Sequence, residues 1–433
     1  MRYLQPSSFI ISSILLFSLM LGCDKKEKET SSNSQANSAT PKPPAFPNFP
    51  KAPPTKSDTP EVAEYLAMKG WKPYGDIRIS DGKPMRYLTI ADSKDPFKNL
   101  ELTQEDFAIL GKVQSVQVLD LRNVILTDAG LAELGKNREV TSMILSGENV
   151  TDAGIAHLAQ CNQLDNLTLI LMDKVTDAGI AKLALLTNVE SLYLLNLKIT
   201  GSGFAALQNW KKLRSLTCEY MNDIDDEGAA AIAKLPKLME LRLSSILQTK
   251  LTKQGVKTIA EQNMPYKFEF NKKLLDDELL EILLKKNWLY GPGSPEAGKK
   301  QKPATASAVT SIDFSNSTMT DSGLKLLLPC TGTKYLYLGS TNVTDGGVAE
   351  LTVMSELASL SLERTAVTNA CISDLLKMAQ LETVNIGNTS IDDTGFEQLL
   401  KLPKLKSITV GGSKVTPAAI QKAKQMHPKM TIY

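Results

Sequence analysis

Carboxylates at a fixed spacing are the first residues in this 433-residue chain that could do chemistry. Asp128, Asp152, Asp177, Asp321, Asp345 and Asp393 each stand two residues ahead of a glycine, inside stretches such as "VTDAG". If such stretches stack, the carboxylates line up along one edge, where oxygen ligands for calcium or a carboxylate pair would be available. Helix capping is the competing account. A Thr or Asp at a helix start accepts hydrogen bonds from exposed amides, and negative charge there suits the helix dipole. Capping explains every one of these positions, and Gly201, Lys253, Asn369 and Pro417 interrupt the series in other units. No metal is therefore expected.

The remaining reactive groups are sparse. Cys23, Cys161, Cys218, Cys330 and Cys371 form no C-x-x-C pair, and the two histidines, His157 and His427, lie far apart. A cysteine nucleophile wants an imidazole beside it, and His157 falls on the surface of a helical stretch. Cys161 and Cys330 hold equivalent positions just after a helix, Cys218 takes a leucine slot and Cys371 replaces a glycine. All four read as small core hydrophobes. Asp226 and Glu227 in "IDDEGA" are an acidic pair that a hydrolase could use, yet they too start a helix. G-x-S-x-G, G-x-x-x-x-G-K-[ST] and H-E-x-x-H are all absent. The expectation is no enzyme and no small-molecule cofactor. With 49 basic against 47 acidic side chains and only 6% aromatic residues, nothing points to nucleic acid.

The elements that carry these residues repeat. "VTDAGIAHLA" at 150–159 returns as "VTDAGIAKLA" at 175–184. Aligned on the first residue of that motif, the units begin at Leu102, Leu126, Val150, Val175, Ile199, Ile224, Leu251, Leu275, Met319, Val343, Val367, Ile391 and Val415. Their spacing is 24 or 25 residues, except 27 before Leu251 and 44 before Met319. So regular a period over so much chain predicts a solenoid. Ahead of most anchors stands an L-x-L element, such as "LDL" at 119–121 or "LYL" at 336–338, whose alternation predicts a short strand. After the anchor, Thr-Asp caps a short amphipathic helix.

This pattern resembles leucine-rich repeats, in particular the cysteine-containing, ribonuclease-inhibitor-like variety. "CNQLDNLTLILMDKVTDAGI" from Cys161 follows its C-x-x-L-x-x-L-x-L…I-T-D-x-G-L signature, with Met172 at the second cysteine position. "CTGTKYLYLGSTNVTDGGV" from Cys330 follows it with Thr333 at a leucine position. The resemblance implies an α/β fold: a right-handed horseshoe solenoid with parallel strands on the concave face and short helices on the convex face. Similar repeats also serve as substrate-recognition subunits of ubiquitin ligases, but no F-box-like helical segment precedes them here.

"MRYLQPSSFIISSILLFSLMLGC" opens the chain with an arginine, an apolar run from Phe9 to Leu21, and a cysteine met at once by charged "DKKEKE". This resembles a bacterial lipoprotein leader and predicts a signal peptide over 1–22 and lipid attachment at Cys23. It places the protein on a membrane of the bacterial cell envelope, on the periplasmic or surface side. Residues 23–60, polar and proline-rich, predict a disordered tether. "EVAEYLAMKGWKPYG" at 61–75 and "DELLEILLKKNWLYGPG" from Asp277 share a helix, Lys, turn and Trp order. They divide the repeats into two blocks, 61–263 and 264–433, with a flexible insertion at 290–308.

What remains for function is the sheet face. Side chains beside the strand leucines should point outward there, and Asp120, Arg122, Tyr193, Glu219, Arg242, Tyr335 and Tyr337 are the candidate contacts for a protein or envelope polymer. Tyrosine and arginine most often dominate binding energy. A purely structural envelope role without a specific ligand is the alternative.

Overall fold

The computed structural model describes residues 56–78, 84–91, 98–236, 238–244, 249–263, 265, 267–286, 288 and 306–433. The expected signal peptide, Cys23, the tether as far as residue 55 and the insertion through residue 305 lie outside the described residues. Contacts of the folded part begin at Lys56 and Asp58, ahead of residue 61: the Asp58 carboxylate accepts from the amides of Gln114 and Ser115 at 2.7 and 3.0 Å.

An antiparallel hairpin of β1 (Tyr74–Arg78) and β2 (Pro84–Thr89) starts the first sheet. Parallel to β2 follow β3 (Val118–Leu121), β4 (Ser142–Ser146), β5 (Asn166–Ile170), β6 (Ser191–Leu195), β7 (Ser215–Glu219), β8 (Glu240–Ser244) and β9 (Lys267–Glu269). A second sheet holds β10 (Ser311–Asp313), β11 (Tyr335–Tyr337), β12 (Ser359–Ser361), β13 (Thr383–Asn385), β14 (Ser407–Thr409) and β15 (Thr431–Ile432), all parallel. Neighbours in space are neighbours in sequence throughout, as a solenoid demands.

The L-x-L leucines are the reason. No single unit can bury its apolar stripe, but in register they form rows. Leu119, Met143, Leu167, Leu192, Leu216 and Leu241 pair strand to strand, and each is essentially inaccessible to solvent. Ile312, Leu336, Leu360, Val384 and Ile408 do the same in the second sheet. Burying one such side chain stabilises by about 1.5–3 kcal/mol, and every row is shared by successive units. Strands sit about 4.8 Å apart whereas packed helices need about 8–10 Å. The sheet therefore takes the inner side of the curve.

The aspartates do something other than cap their own helices. In most repeats the Thr before the Asp is the cap: Thr127 accepts from the amide of Gly130, Thr151 from Ala153 and Thr344 from Gly346. The aspartate instead reaches the next repeat. Asp128 accepts from the amide and hydroxyl of Thr151 at 2.8 and 2.6 Å, and Asp152 from those of Thr176 at 2.7 and 2.6 Å. Asp177, Asp226, Asp277, Asp321, Asp345 and Asp393 bind Thr200, Thr252, Thr320, Thr344, Thr368 and Thr416 in the same way. The glycine of "VTDAG" makes room for this reach. A Cβ on Gly154 would collide with Asp128 Oδ1, and one on Gly347 with Asp321 Oδ1.

The interruptions obey the same electrostatics. Where the bridging position is Gly201, Lys253 or Asn369, the next cap is Asp225, Asp276 or Asp392. Lys253 Nζ reaches Asp276 at 2.8 Å, and Asn369 Nδ2 donates to Asp392 at 2.6 Å. A capping aspartate never follows a bridging one, because two carboxylates would then share one site.

In the first full repeat no earlier described repeat bridges to Thr103, and Asp106 supplies the contact from within. Its carboxylate accepts from the amide and hydroxyl of Thr103 at 2.8 and 2.7 Å, at the position later repeats give to glycine. The N-terminal helix Pro60–Met68 and the residue after it close over it: Tyr65 donates a hydrogen bond at 3.0 Å and Lys69 an ion pair at 2.8 Å. Burial by itself would raise the Asp106 pKa; the Lys69, Thr103 and Tyr65 donors outweigh that and hold the carboxyl below the usual carboxylate range.

One backbone feature recurs after the strands. Leu171, Asn196, Tyr220, Asn316, Ser340, Arg364 and Asn388 all have φ between 54° and 64°. The left-handed residue turns the chain while its amide still donates to the neighbouring repeat, as Ser340 does to Glu363 O at 2.7 Å and Arg364 to Gly387 O at 2.9 Å. Three of these positions are Asn, the residue that tolerates the conformation best after Gly.

The sheet splits between β9 and β10. Trp288 wedges there: its Nε1 donates to Phe268 O at 2.9 Å, and its ring stacks on Phe314 with centroids 6.3 Å apart. Its backbone repeats that of the earlier motif, since Trp71 N donates to Leu66 O and Trp288 N to Leu283 O, each at 2.9 Å. The core and the bridging ladder nevertheless run on through the split, with Asp277 holding Thr320.

Two predictions follow from the ladder. Gly154→Ala should destabilise the fold by about 1–3 kcal/mol in denaturant melts, the usual cost of overpacking, whereas the adjacent Ala153→Ser should be nearly silent. Because the folded-state pKa of Asp106 is depressed, its stabilisation is present above about pH 4 and is lost as pH falls through the folded value. Asp106→Asn should therefore flatten the acid limb of stability against pH; an unchanged limb would exclude this role.

Candidate functional site

The outward positions of β6 to β9 are joined into one network. Tyr193 donates its hydroxyl to Glu219 at 2.6 Å, Glu219 pairs with Arg242 at 3.2 Å, and Arg242 pairs with Glu269 at 2.6 Å. Lys267 links Glu269 at 3.3 Å to Glu240 at 2.8 Å. Strand register explains the chain of contacts: Tyr193, Thr217, Arg242 and Glu269 lie abreast on β6 to β9. Burial, then the Glu219 carboxylate, pushes the Tyr193 hydroxyl well above the ordinary phenol range. The phenol is thus a fixed donor.

Asp120 departs from expectation. It is only 3% exposed, because the Arg122 guanidinium lies over it with a bidentate pair at 2.7 and 3.0 Å. A partner would meet Arg122, not Asp120. Thr217 is likewise buried. Of the seven candidate contacts, Tyr193, Glu219 and Arg242 are brought together, Asp120 and Arg122 form a separate pair, and Tyr335 and Tyr337 stand on the other sheet.

Those two tyrosines are the exposed aromatic pair of the sheet face, at 41% and 36%. They flank the buried Leu336 on β11. In register, Tyr335 lies between Ser311 and Ser359, and Tyr337 between Asp313 and Ser361. Small neighbours leave both rings uncovered. Further along, Thr383, Asn385, Ser407 and Thr409 continue the same two rows. Sequence reading passed over Ser359, Ser361, Thr383 and Ser407, although each sits beside a strand apolar residue in the x-L-x frame. Only the register shows that Ser359 and Ser361 border the tyrosines and that Thr383 and Ser407 extend the Tyr335 row.

The other candidate chemistries are accounted for by structure. Asp226 is a bridge to Thr252, at 2.9 and 2.6 Å, while Glu227 is exposed at the same helix start. Cys161, Cys218, Cys330 and Cys371 are buried free thiols. Burial raises the Cys161 and Cys330 thiols to about 11. Burial and the nearby Asp345 raise Cys371 to about 12, and Cys218 rises further still. Such thiols stay protonated and unreactive at neutral pH. His427 lines a groove on the helix side with Glu397, Lys401, Lys422 and Met426, and no cysteine borders it. Among the described residues no cluster of three His, Cys, Asp or Glu could hold a metal, and no helix is long and apolar enough to cross a membrane.

No protein-family model and no curated protein sequence matches the chain. Among solved structures, an internalin from Listeria monocytogenes is similar at 18% identity, with 76% of this chain and 88% of that chain covered and a TM-score of 0.49. A leucine-rich-repeat protein from Leptospira interrogans is similar at 14% identity, with 80% and 99% covered and a TM-score of 0.43. Rad7 from yeast, crystallised with Elc1, is similar at 17% identity, with 71% and 83% covered and a TM-score of 0.39.

Thiol titration of a Cys23→Ser chain gives a direct check on the cysteines. None of the four described thiols should react quickly with a disulfide reagent before denaturant is added, and all four should react afterwards. A fast-reacting native thiol would reopen nucleophilic chemistry.

In its repeating strand, left-handed turn and capped helix, and in its shared leucine rows, this chain is an α/β leucine-rich-repeat solenoid.

Proposed function

We propose that this chain is a non-enzymatic recognition scaffold, held on a bacterial envelope membrane by a lipid at Cys23, that binds a protein or an envelope polymer across the sheet face of β11 to β14. The exposed Tyr335–Tyr337 pair carries the reading. Two large amphipathic rings stand on one strand, both exposed among the described residues, with Ser311, Ser359 and Ser361 beside them and a single carboxylate, Asp313, that Lys272 already holds. Aromatic side chains of this kind form the anchors of binding surfaces. The first sheet is the poorer candidate, because its Tyr193, Glu219 and Arg242 already satisfy one another, and opening such a network would leave charges unpaired.

The anchor and the surface are tested separately. Metabolic labelling with a clickable fatty acid should mark the wild-type chain and not Cys23→Ser. Crosslinking in the native membrane fraction should then recover envelope neighbours whose yield falls about tenfold or more in Tyr335→Ala/Tyr337→Ala, the range of a hot-spot loss. Equal recovery with the double variant would remove this surface from the reading.

A further inference from the structure

Resting on that scaffold reading, we infer that the occupant of the β11–β14 face is a neutral glycan chain, stacked on Tyr335 and Tyr337 and hydrogen-bonded by the serine and threonine rows beside them.

Charge comes first. The strand residues facing outward on β11 to β14 are Tyr335, Tyr337, Ser359, Ser361, Thr383, Asn385, Ser407 and Thr409, none of them ionised at neutral pH. At the border, Asp313 is held by Lys272 and Glu382 by Lys406. A polyanion or an acidic peptide would need a concentrated basic surface; among the described residues the outward strand positions of β11 to β14 carry no Lys or Arg, and the carboxylate of Glu363 stands beside Asn385. The first sheet, with its Glu219–Arg242–Glu269–Lys267 chain, has the opposite character.

Apolar surface comes second. Between the outward side chains, Leu336, Leu360, Val384 and Ile408 are at most 1% exposed. These four side chains therefore add no aliphatic surface to the face, of the kind that forms the desolvated centre of a protein interface. The exposed large apolar side chains of this face are the two tyrosines, whose backbone positions are about 6.4–6.8 Å apart along the strand. A pyranose ring fits such a surface. Its C–H face lies flat against an aromatic ring, while its rim of hydroxyls both donates and accepts.

Hydrogen bonding comes third. The hydroxyls of Tyr335, Tyr337, Ser359, Ser361, Thr383, Ser407 and Thr409 bond to no other described residue. Each can donate one hydrogen bond and accept two, so the array can follow either polarity of a sugar hydroxyl. Adjacent strands repeat it about every 4.8 Å, across the strands from the tyrosine step. A chain molecule running along the solenoid axis from the tyrosines would meet a hydroxyl or an amide at each following repeat.

The test uses the full chain in detergent and three probes: the β-1,4-linked hexamer of N-acetylglucosamine, the β-1,4-linked hexamer of glucose, and insoluble chitin. Calorimetry with the hexamers and co-sedimentation with chitin are expected to show saturable binding to at least one. Its affinity should fall about tenfold or more in Tyr335→Ala/Tyr337→Ala, stay within about threefold in Tyr335→Phe/Tyr337→Phe, which keeps the rings, and barely change between about 50 and 500 mM salt. Matching thermal midpoints establish that the variants are folded. Binding that survives the alanine variant, or that collapses with salt, overturns the inference. No binding to any probe also overturns it. If a protein crosslinked through these tyrosines is recovered in that case, the scaffold reading stands and the glycan does not; if none is recovered, both fall.

Discussion

Every feature of this molecule depends on one constraint: a single unit cannot dry its own apolar stripe. The strand leucines become a core only when the next unit closes over them, so stability resides between repeats more than within them. The aspartate bridges are the polar expression of the same constraint. Each takes two donors of the following repeat, an amide and a hydroxyl, and so fixes the spacing at which the leucine rows meet. The motif that looks like a helix cap is therefore a joint. Thr caps and receives, Asp reaches forward, and Gly leaves room for the Asp arriving from behind.

This joint also explains the irregular units. A bridging aspartate meets a threonine, whereas glycine, lysine or asparagine at the bridging position meets an aspartate. Asp106 shows the same logic at the first full repeat, where the bridge must come from the repeat itself and the Pro60–Met68 helix seals it. The aromatic wedge at Trp288 is the complementary case. There the strand hydrogen bonds lapse, yet the bridge from Asp277 and the shared core continue.

A framework secured along its core and its helix edge leaves the outward side chains of the sheet free to differ between its two parts. On β6 to β9 they interlock as ion pairs; on β11 to β14 they are tyrosine, serine, threonine and asparagine. Ion pairs of the first kind are part-buried and committed to one another, which suits a rigidifying role better than a binding one. The second kind is uncommitted within the protein, and the functional reading attaches there.

Much of this was legible in the chain itself. Period, strand and helix order and the buried leucines all follow from spacing, because alternation and helical periodicity are local properties of the sequence. The roles of Asp128 and its equivalents were not legible, since capping and bridging demand the same residue types at the same position. They differ only in which repeat supplies the donor. The pairing of Gly201, Lys253 and Asn369 with Asp225, Asp276 and Asp392 was present in the letters, but it had no meaning until their adjacency was known. Likewise, sequence placed Asp120 and Tyr335 on one list of outward residues. Tertiary structure separated them, because exposure is set by what stands on the neighbouring strand: a guanidinium folded over Asp120, and only serines beside Tyr335.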